Sequence, residues 1–380
     1  MIVTLVCDVL GEENNGTTIA ANNLARSLRE KGHTVRIVCP DQDKEGLPDY
    51  YIVPVINVGP INPILRKNDV VVSKPDRELL EKAMDGADIV HVMLPFPQGI
   101  KASKVAKELG LPLSVGYHFL SENITAHLYL EKAQHLNKQI FKIFDNFYAR
   151  ADAIHFPTQF LRDAYEKDHG PSNGYVISNG VVSEIYPKET EKPEKYKDKF
   201  IIMYSGRLSR EKSHFLLVDA VMKSAHEKDI QLIFAGDGPR KKQIYKRAKN
   251  LTNPLEINFF SRSEMEDLLN YSDLYVHAAE AEAEGIACLE AIVCGLVPVI
   301  SDSPRSATNA YAIDEKSLFK WNSPEDLAAK IDWWIEHPEE RAEYSRRYKD
   351  KFKNEFDHDH CMDLMEQMLL ETAGLKEKSN

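Results

Sequence analysis

Residues 282–300 read EAEGIACLEAIVCGLVPVI. Glu282 lies in a turn-forming approach, Gly285 opens a helix predicted over 285–294 that carries Glu290, and Gly295 stops it before a strand at 297–300. Helix followed directly by a short buried strand is one half of a βαβ unit. The backbone N–H groups of Gly285, Ile286 and Ala287 are donors of the first turn, where the helix dipole favours an anion such as phosphate. One turn on, Glu290 is placed to accept two ribose hydroxyls, and Glu282 to meet hydroxyls of a second ring. Together these parts describe a grip on a nucleotide-sugar. A surface helix with solvated carboxylates is the competing reading of two glutamates alone.

Outward from this stretch the same alternation recurs. Strands are predicted at 2–7, 34–39, 51–57, 88–93, 112–117 and 153–156, with helices at 17–31, 77–84, 98–109, 122–150 and 158–167. A charged, proline-containing stretch, Pro187 to Lys199, reads as a linker. A second series follows, with strands at 200–205, 230–235, 255–259, 273–276 and 297–300, helices at 212–225, 239–249, 263–271 and 285–294, and an all-helical remainder from Pro324 to Glu371. The implied fold class is α/β: two tandem Rossmann-like, doubly wound parallel sheets, with a ligand cleft expected between their carboxyl ends. The expected domains are 1–182, joined by a C-terminal helix at about 357–375, and 183–356.

Composition sets bounds on this reading. A chain of 380 residues exceeds what one core usually supports. Its net charge of −11 argues against nucleic acid as a partner. Residues 2–7 have no basic flank and read as a strand instead of a signal peptide, and no apolar run reaches the roughly 18 to 20 residues that cross a bilayer. Five cysteines without CxxC spacing suit reduced thiols, so the expected location is cytoplasmic, at most peripheral on the inner face of the cell membrane.

Five further places carry candidate chemistry. The turn-rich loop from Gly11 to Thr18 leads into the first helix, with Gly16 allowing close approach of a ligand and Thr17 or Asn15 capping. His118 follows a strand, which puts it at a carboxyl end. Gly206-Arg207-Leu208 and Glu211-Lys212 supply a guanidinium fork and an ammonium point charge for a diphosphate. Gly236-Asp237-Gly238-Pro239 forms a turn into a helix, and Ser261 follows the 255–259 strand. By contrast, Asp357-His358-Asp359-His360-Cys361 runs around a helix and reads as a solvated face, not a metal site.

The Glu282 to Glu290 spacing, the CGLVPVI segment, and the elements GRLSREK at 206–212 and GDGP at 236–239 resemble the family-4 retaining glycosyltransferases. That resemblance implies the GT-B architecture, with the C-terminal helix returning to the first domain. It implies a transferase that retains anomeric configuration by a front-face route and needs neither metal nor cofactor, Arg207 and Lys212 standing in for the cation. By the same resemblance His118, Arg207, Lys212 and Glu282 are the catalytic candidates. Gly16, Thr17, Gly206, Gly238, Ser261, Gly285, Ile286, Ala287 and Glu290 are the donor-binding ones. Two positions depart from the pattern: Glu284 stands where an aromatic residue is common, and Val182 replaces the acidic residue after Asn179-Gly180-Val181.

The expected donor is a UDP-hexose ahead of a GDP-sugar, and the expected acceptor a lipid hydroxyl such as that of diacylglycerol. For the lipid, the aromatic and basic composition of 119–150 and of Ile61 to Lys67 suits a membrane interface, while a core helix packed on its own sheet is the alternative. A soluble sugar or polysaccharide acceptor, a sugar epimerase or phosphorylase, and a catalytically silent nucleotide-sugar-binding protein remain open.

Overall fold

The computed structural model describes residues 1–8, 16–56, 59, 73–118, 142–182 and 187–375. The chain divides into two compact units, Met1–Asn179 with Cys361–Asn380, and Gly180–His360.

The first unit is built on a seven-stranded sheet: β1 (Ile2–Val6), β2 (Thr34–Cys39), β3 (Tyr50–Ile52), β4 (Ile89–Val92), β5 (Leu113–Gly116), β6 (Ala153–Phe156) and β7 (Gly174–Val176). Its order is β3-β2-β1-β4-β5-β6-β7, with every pairing parallel. Apolar strands such as IVTLV are what a parallel sheet covered on both faces requires. Helix α1 (Gly16–Glu30) covers one face through Ala21, Leu24, Ala25 and Leu28.

Against those residues packs α11 (His358–Thr372), the last helix, through Cys361, Met362, Met365, Met368 and Leu369. His33 Nε2 lies 2.6 Å from Glu366, and the Tyr175 hydroxyl donates to Glu371 at 3.1 Å. The C-terminal helix thus completes the core of the first unit. Its first turn departs from the solvated face expected of it: His358 and Cys361 are buried, and Asp357 caps the turn by accepting the His360 N–H at 3.1 Å.

The second unit repeats the plan with β8 (Phe200–Ser205), β9 (Ile230–Ala235), β10 (Glu256–Asn258), β11 (Leu274–His277), β13 (Pro298–Ser301) and β15 (Leu318–Phe319), ordered β10-β9-β8-β11-β13-β15 and all parallel. A separate two-stranded pair, β12 (Ala281–Glu282) with β14 (Arg305–Ser306), sits beyond β11. Gly180–Val182, grouped by the sequence reading with the first domain, lie here because Val181 accepts from the His358 N–H at 3.1 Å and donates to Phe356 at 2.7 Å. Val182, in place of an acidic residue, packs on this core. Both sheets reverse direction of strand order between their first and fourth strands, β1/β4 and β8/β11, where ligands of doubly wound sheets bind.

Helix 142–148 turns Phe144, Phe147 and Tyr148 inward, with Tyr148 5.0 Å from the Tyr117 ring. That end of the aromatic stretch is core; the remainder of 119–141 and Ile61 to Lys67 lie outside the described residues. Among the described residues no helix is long and apolar enough to cross a membrane. All five cysteines are buried and free of disulfides.

His91 and His155, both buried in the first sheet, are pushed by burial to about 3 and about 4. The unfolded rings bind protons at about 6.5 and the folded ones do not, so stability falls as pH drops below that value. Each ring should cost about 2 kcal/mol between pH 7.5 and 5. Urea unfolding at the two pH values will show a lower midpoint at pH 5; equal midpoints would contradict neutral, buried rings.

Candidate nucleotide-sugar site

In the second unit the loops after β8 and β11 meet. Gly206 follows β8 at φ +143°, a conformation that favours glycine, and the Lys212 side chain passes beside it in ordinary contact, a Cβ built there lying 3.7 Å from Lys212 Cε. Gly236, at φ +153°, follows β9 and faces Gly206 so closely that a Cβ would come within 3.0 Å of the Gly206 carbonyl carbon and would collide with its oxygen. At Gly238 a Cβ would fall 2.7 Å from the Leu208 backbone. The two loops are stitched together by Gly206 N–H to Ala235 O, Leu208 N–H to Asp237 O and Arg240 N–H to Leu208 O, at 2.9, 2.9 and 3.0 Å. The glycines of both motifs therefore shape the loop that carries Arg207 and Lys212.

Lys212 forms an ion pair with Glu282, both side chains largely shielded. Glu282 is fixed in the ladder opposite Ser306, and its neighbour Glu280 is anchored by Arg305 Nη1 at 2.8 Å and through its own N–H to Glu211 O at 2.7 Å. Of the three alternating glutamates only Glu282 meets Lys212. Glu284 is buried, and its carbonyl accepts the Tyr311 hydroxyl at 2.8 Å. Burial opposes ionisation of Glu282, but the Lys212 ammonium and the His277 ring outweigh it and hold the carboxyl down at about 2. Its charge persists across the physiological range.

Gly285 adopts the left-handed conformation, φ +81° and ψ +48°, and α8 (Ile286–Cys294) begins immediately after it. A Cβ at Gly285 would lie 3.2 Å from Glu282 Cγ and would strike the Thr308 methyl. The Cys288 N–H returns to the Gly285 carbonyl at 2.8 Å, leaving the Ile286 and Ala287 amides with no acceptor among the described residues. One turn on, Glu290 pairs with Arg262 Nη1 at 2.9 Å, and burial lifts it above the ordinary carboxylate range, an effect that Arg262 only partly offsets.

Ser261 is the N-cap of α7 (Arg262–Tyr271), engaged in a capping box with Glu264. Its described contacts are structural. His118, Gly16 and Thr17 belong to the first unit. Gly16 and Thr17 open α1, whose preceding loop lies outside the described residues. The His118 ring folds back over Gly116, where a Cβ would clash with it, and lies 5.4 Å from His155; burial drives its pKa well below the ordinary imidazole value.

His277 was absent from the sequence-based candidates. It ends β11, is fully buried, and places Nε2 3.4 Å from Glu282 Oε2. Its only signal is a polar residue closing an apolar strand, at 274–277, five residues before Glu282.

The fold and this arrangement define a glycosyltransferase of the two-domain, parallel-sheet kind. The Anabaena protein Alr3699/HepE, solved with UDP and glucose, shares the fold with a TM-score of 0.75 at 16% identity over 97% of this chain and 99% of that one. The chain belongs to glycosyltransferase family 4: residues 14–184 match the model for Glycosyltransferase Family 4, and residues 186–351 that for Glycosyl transferases group 1. Among curated relatives, the alpha-monoglucosyldiacylglycerol synthase of Streptococcus pneumoniae is 24% identical over 79% of this chain and 71% of its own length. The GDP-mannose-dependent alpha-mannosyltransferase of Corynebacterium glutamicum is 25% identical over 92% and 85%.

Gly236→Ala should force the Gly206 loop aside, weakening nucleoside diphosphate binding by about tenfold or more and costing about 2 to 4 kcal/mol of stability. Calorimetric titration and urea unfolding of the variant provide the check; wild-type affinity would show that the glycine contact does not shape the site.

Proposed function

We propose that this glycosyltransferase moves a hexose from a UDP-sugar to a lipid hydroxyl, diacylglycerol being the favoured class, with retention of anomeric configuration and without a metal. The observation that carries the donor half is the grouping of Lys212, Glu282 and the Ile286 and Ala287 amides around one helix start. The amides and the ammonium suit a diphosphate, and two carboxylates suit hydroxyls. The lipid acceptor is supported by the S. pneumoniae relative, named for a diacylglycerol product, which aligns over most of this chain. The GDP-mannose-dependent relative makes a GDP-sugar the second donor to test.

In this reading Arg207 and Lys212 stabilise the charge that develops on the leaving diphosphate, as the helix start does through its dipole. Glu290 holds the ribose and Glu282 the sugar. Retention follows a front-face course: the bond from anomeric carbon to diphosphate oxygen breaks, the acceptor oxygen bonds to the same face, and its proton passes to the departing phosphate. His118, neutral because it is buried, acts as a hydrogen-bonding group and carries no charge.

The deciding assay is nucleoside diphosphate release from UDP-glucose, UDP-galactose and GDP-mannose in EDTA, with and without vesicles containing diacylglycerol. One donor should be turned over, faster with the lipid, to an α-linked product by NMR, and Lys212→Met should slow it by about a hundredfold or more. Turnover indifferent to lipid points to a soluble acceptor, dependence on an added divalent ion removes the metal-free mechanism, and a β-linked product removes retention.

A further inference from the structure

His277 stands behind the ion pair with no charge of its own. Burial presses it below the ordinary imidazole value, and Glu282 offsets this only in part. The ring faces Glu282 Oε2, the oxygen that already takes Lys212 Nζ, at 3.4 Å. On its other side Nδ1 lies 3.4 Å from the Tyr275 hydroxyl, itself 3.3 Å from the Ser205 hydroxyl. One assignment of protons suits every link. Ser205 donates to Tyr275, Tyr275 donates to Nδ1, and the remaining ring proton sits on Nε2, pointing at the carboxylate. The opposite tautomer would aim a lone pair at a carboxylate oxygen.

All three links exceed the roughly 2.7 to 3.2 Å of well-formed hydrogen bonds, so the chain is slack while Lys212 holds Glu282. In the donor-binding reading above, on which this inference rests, a diphosphate competes for that ammonium. A shielded carboxylate that loses its cation is costly unless another donor takes it. We propose that His277 is a positioning residue that takes over Glu282 as Lys212 turns to the diphosphate. The Nε2–H closes on Oε2, Glu282 stays charged, and its remaining lone pairs are held toward the sugar hydroxyls. Tyr275 keeps the ring in the tautomer that allows this. The glycine at 285 leaves the carboxylate its place, since a side chain there would crowd Glu282 Cγ at 3.2 Å.

The test separates holding the diphosphate from holding the sugar. Affinity for free UDP and GDP is measured by calorimetry, and kcat/KM with UDP-glucose and GDP-mannose, for wild type, His277→Leu, His277→Gln and Tyr275→Phe. His277→Leu should lower kcat/KM by about ten- to a hundredfold, the worth of one hydrogen bond to a charged group, while nucleotide affinity stays within about twofold. His277→Gln, whose amide N–H reaches the place of Nε2, should recover most of the loss. Tyr275→Phe should lose about three- to tenfold, because the ring is then free to change tautomer. The two near-isosteric variants keep the comparison meaningful should the leucine variant unfold. Unchanged kcat/KM in His277→Leu, or a glutamine variant no better than leucine in a folded protein, overturns the proposal alone. A wild type that binds neither nucleotide overturns the donor reading and this proposal together.

Discussion

A carboxylate cannot be taken out of water without a partner, and the second unit is arranged around that constraint at Glu282. Lys212 reaches it from the loop after β8, His277 from beneath, and the backbone is pinned by the short ladder to Arg305–Ser306. The loop that carries the lysine turns at Gly206 in a conformation that favours glycine, and its position depends on the missing side chains at Gly236 and Gly238. The glycine-rich turns and the acidic motif, distant in sequence, serve one local electrostatic arrangement.

The two units share a topology but treat their helix starts differently. In the first, Asp8 at the end of β1 occupies the start of the helix that follows β4, accepting the Gln98 and Gly99 amides at 3.1 and 2.9 Å and the Ser73 hydroxyl at 2.7 Å. The protein thus supplies its own carboxyl oxygens there, and burial raises the Asp8 pKa. In the second unit the corresponding helix follows Gly285 directly, and no carboxylate accepts from Ile286 or Ala287 among the described residues. Doubly wound symmetry offers two anion-binding ends, and the placement of a single aspartate distinguishes them.

Much of this was legible in the chain. Strands at 34–39, 153–156, 200–205 and 230–235 fall where apolar runs put them, because buried parallel strands are nearly continuous in hydrophobicity. Short strands such as Gly174–Val176 and Leu318–Phe319 were not legible, since three or two residues at a sheet edge carry no periodicity. Glu282, Lys212 and Glu290 were singled out by motif and charge, and the fold brings the first two together. Two of the contacts were not legible: Arg262 meets Glu290 across 28 positions, and His277 owes its meaning to a side chain that only the fold brings near. In the acidic run at 280–284, Lys212 and Arg305 sort the charges, and Glu282 is held low.

The methionine-rich seam of α11 has a consequence for how the molecule is made. The sheet of the first unit is complete once Val176 has been synthesised, but the surface of α1 that Met365, Met368 and Leu369 cover stays bare for almost two hundred residues more. The second unit, whose incoming and outgoing segments lie side by side at Val181 and Phe356, closes within that interval. On the ribosome, then, the half that is translated first is finished last, and an apolar stripe on it awaits the final turns of the chain.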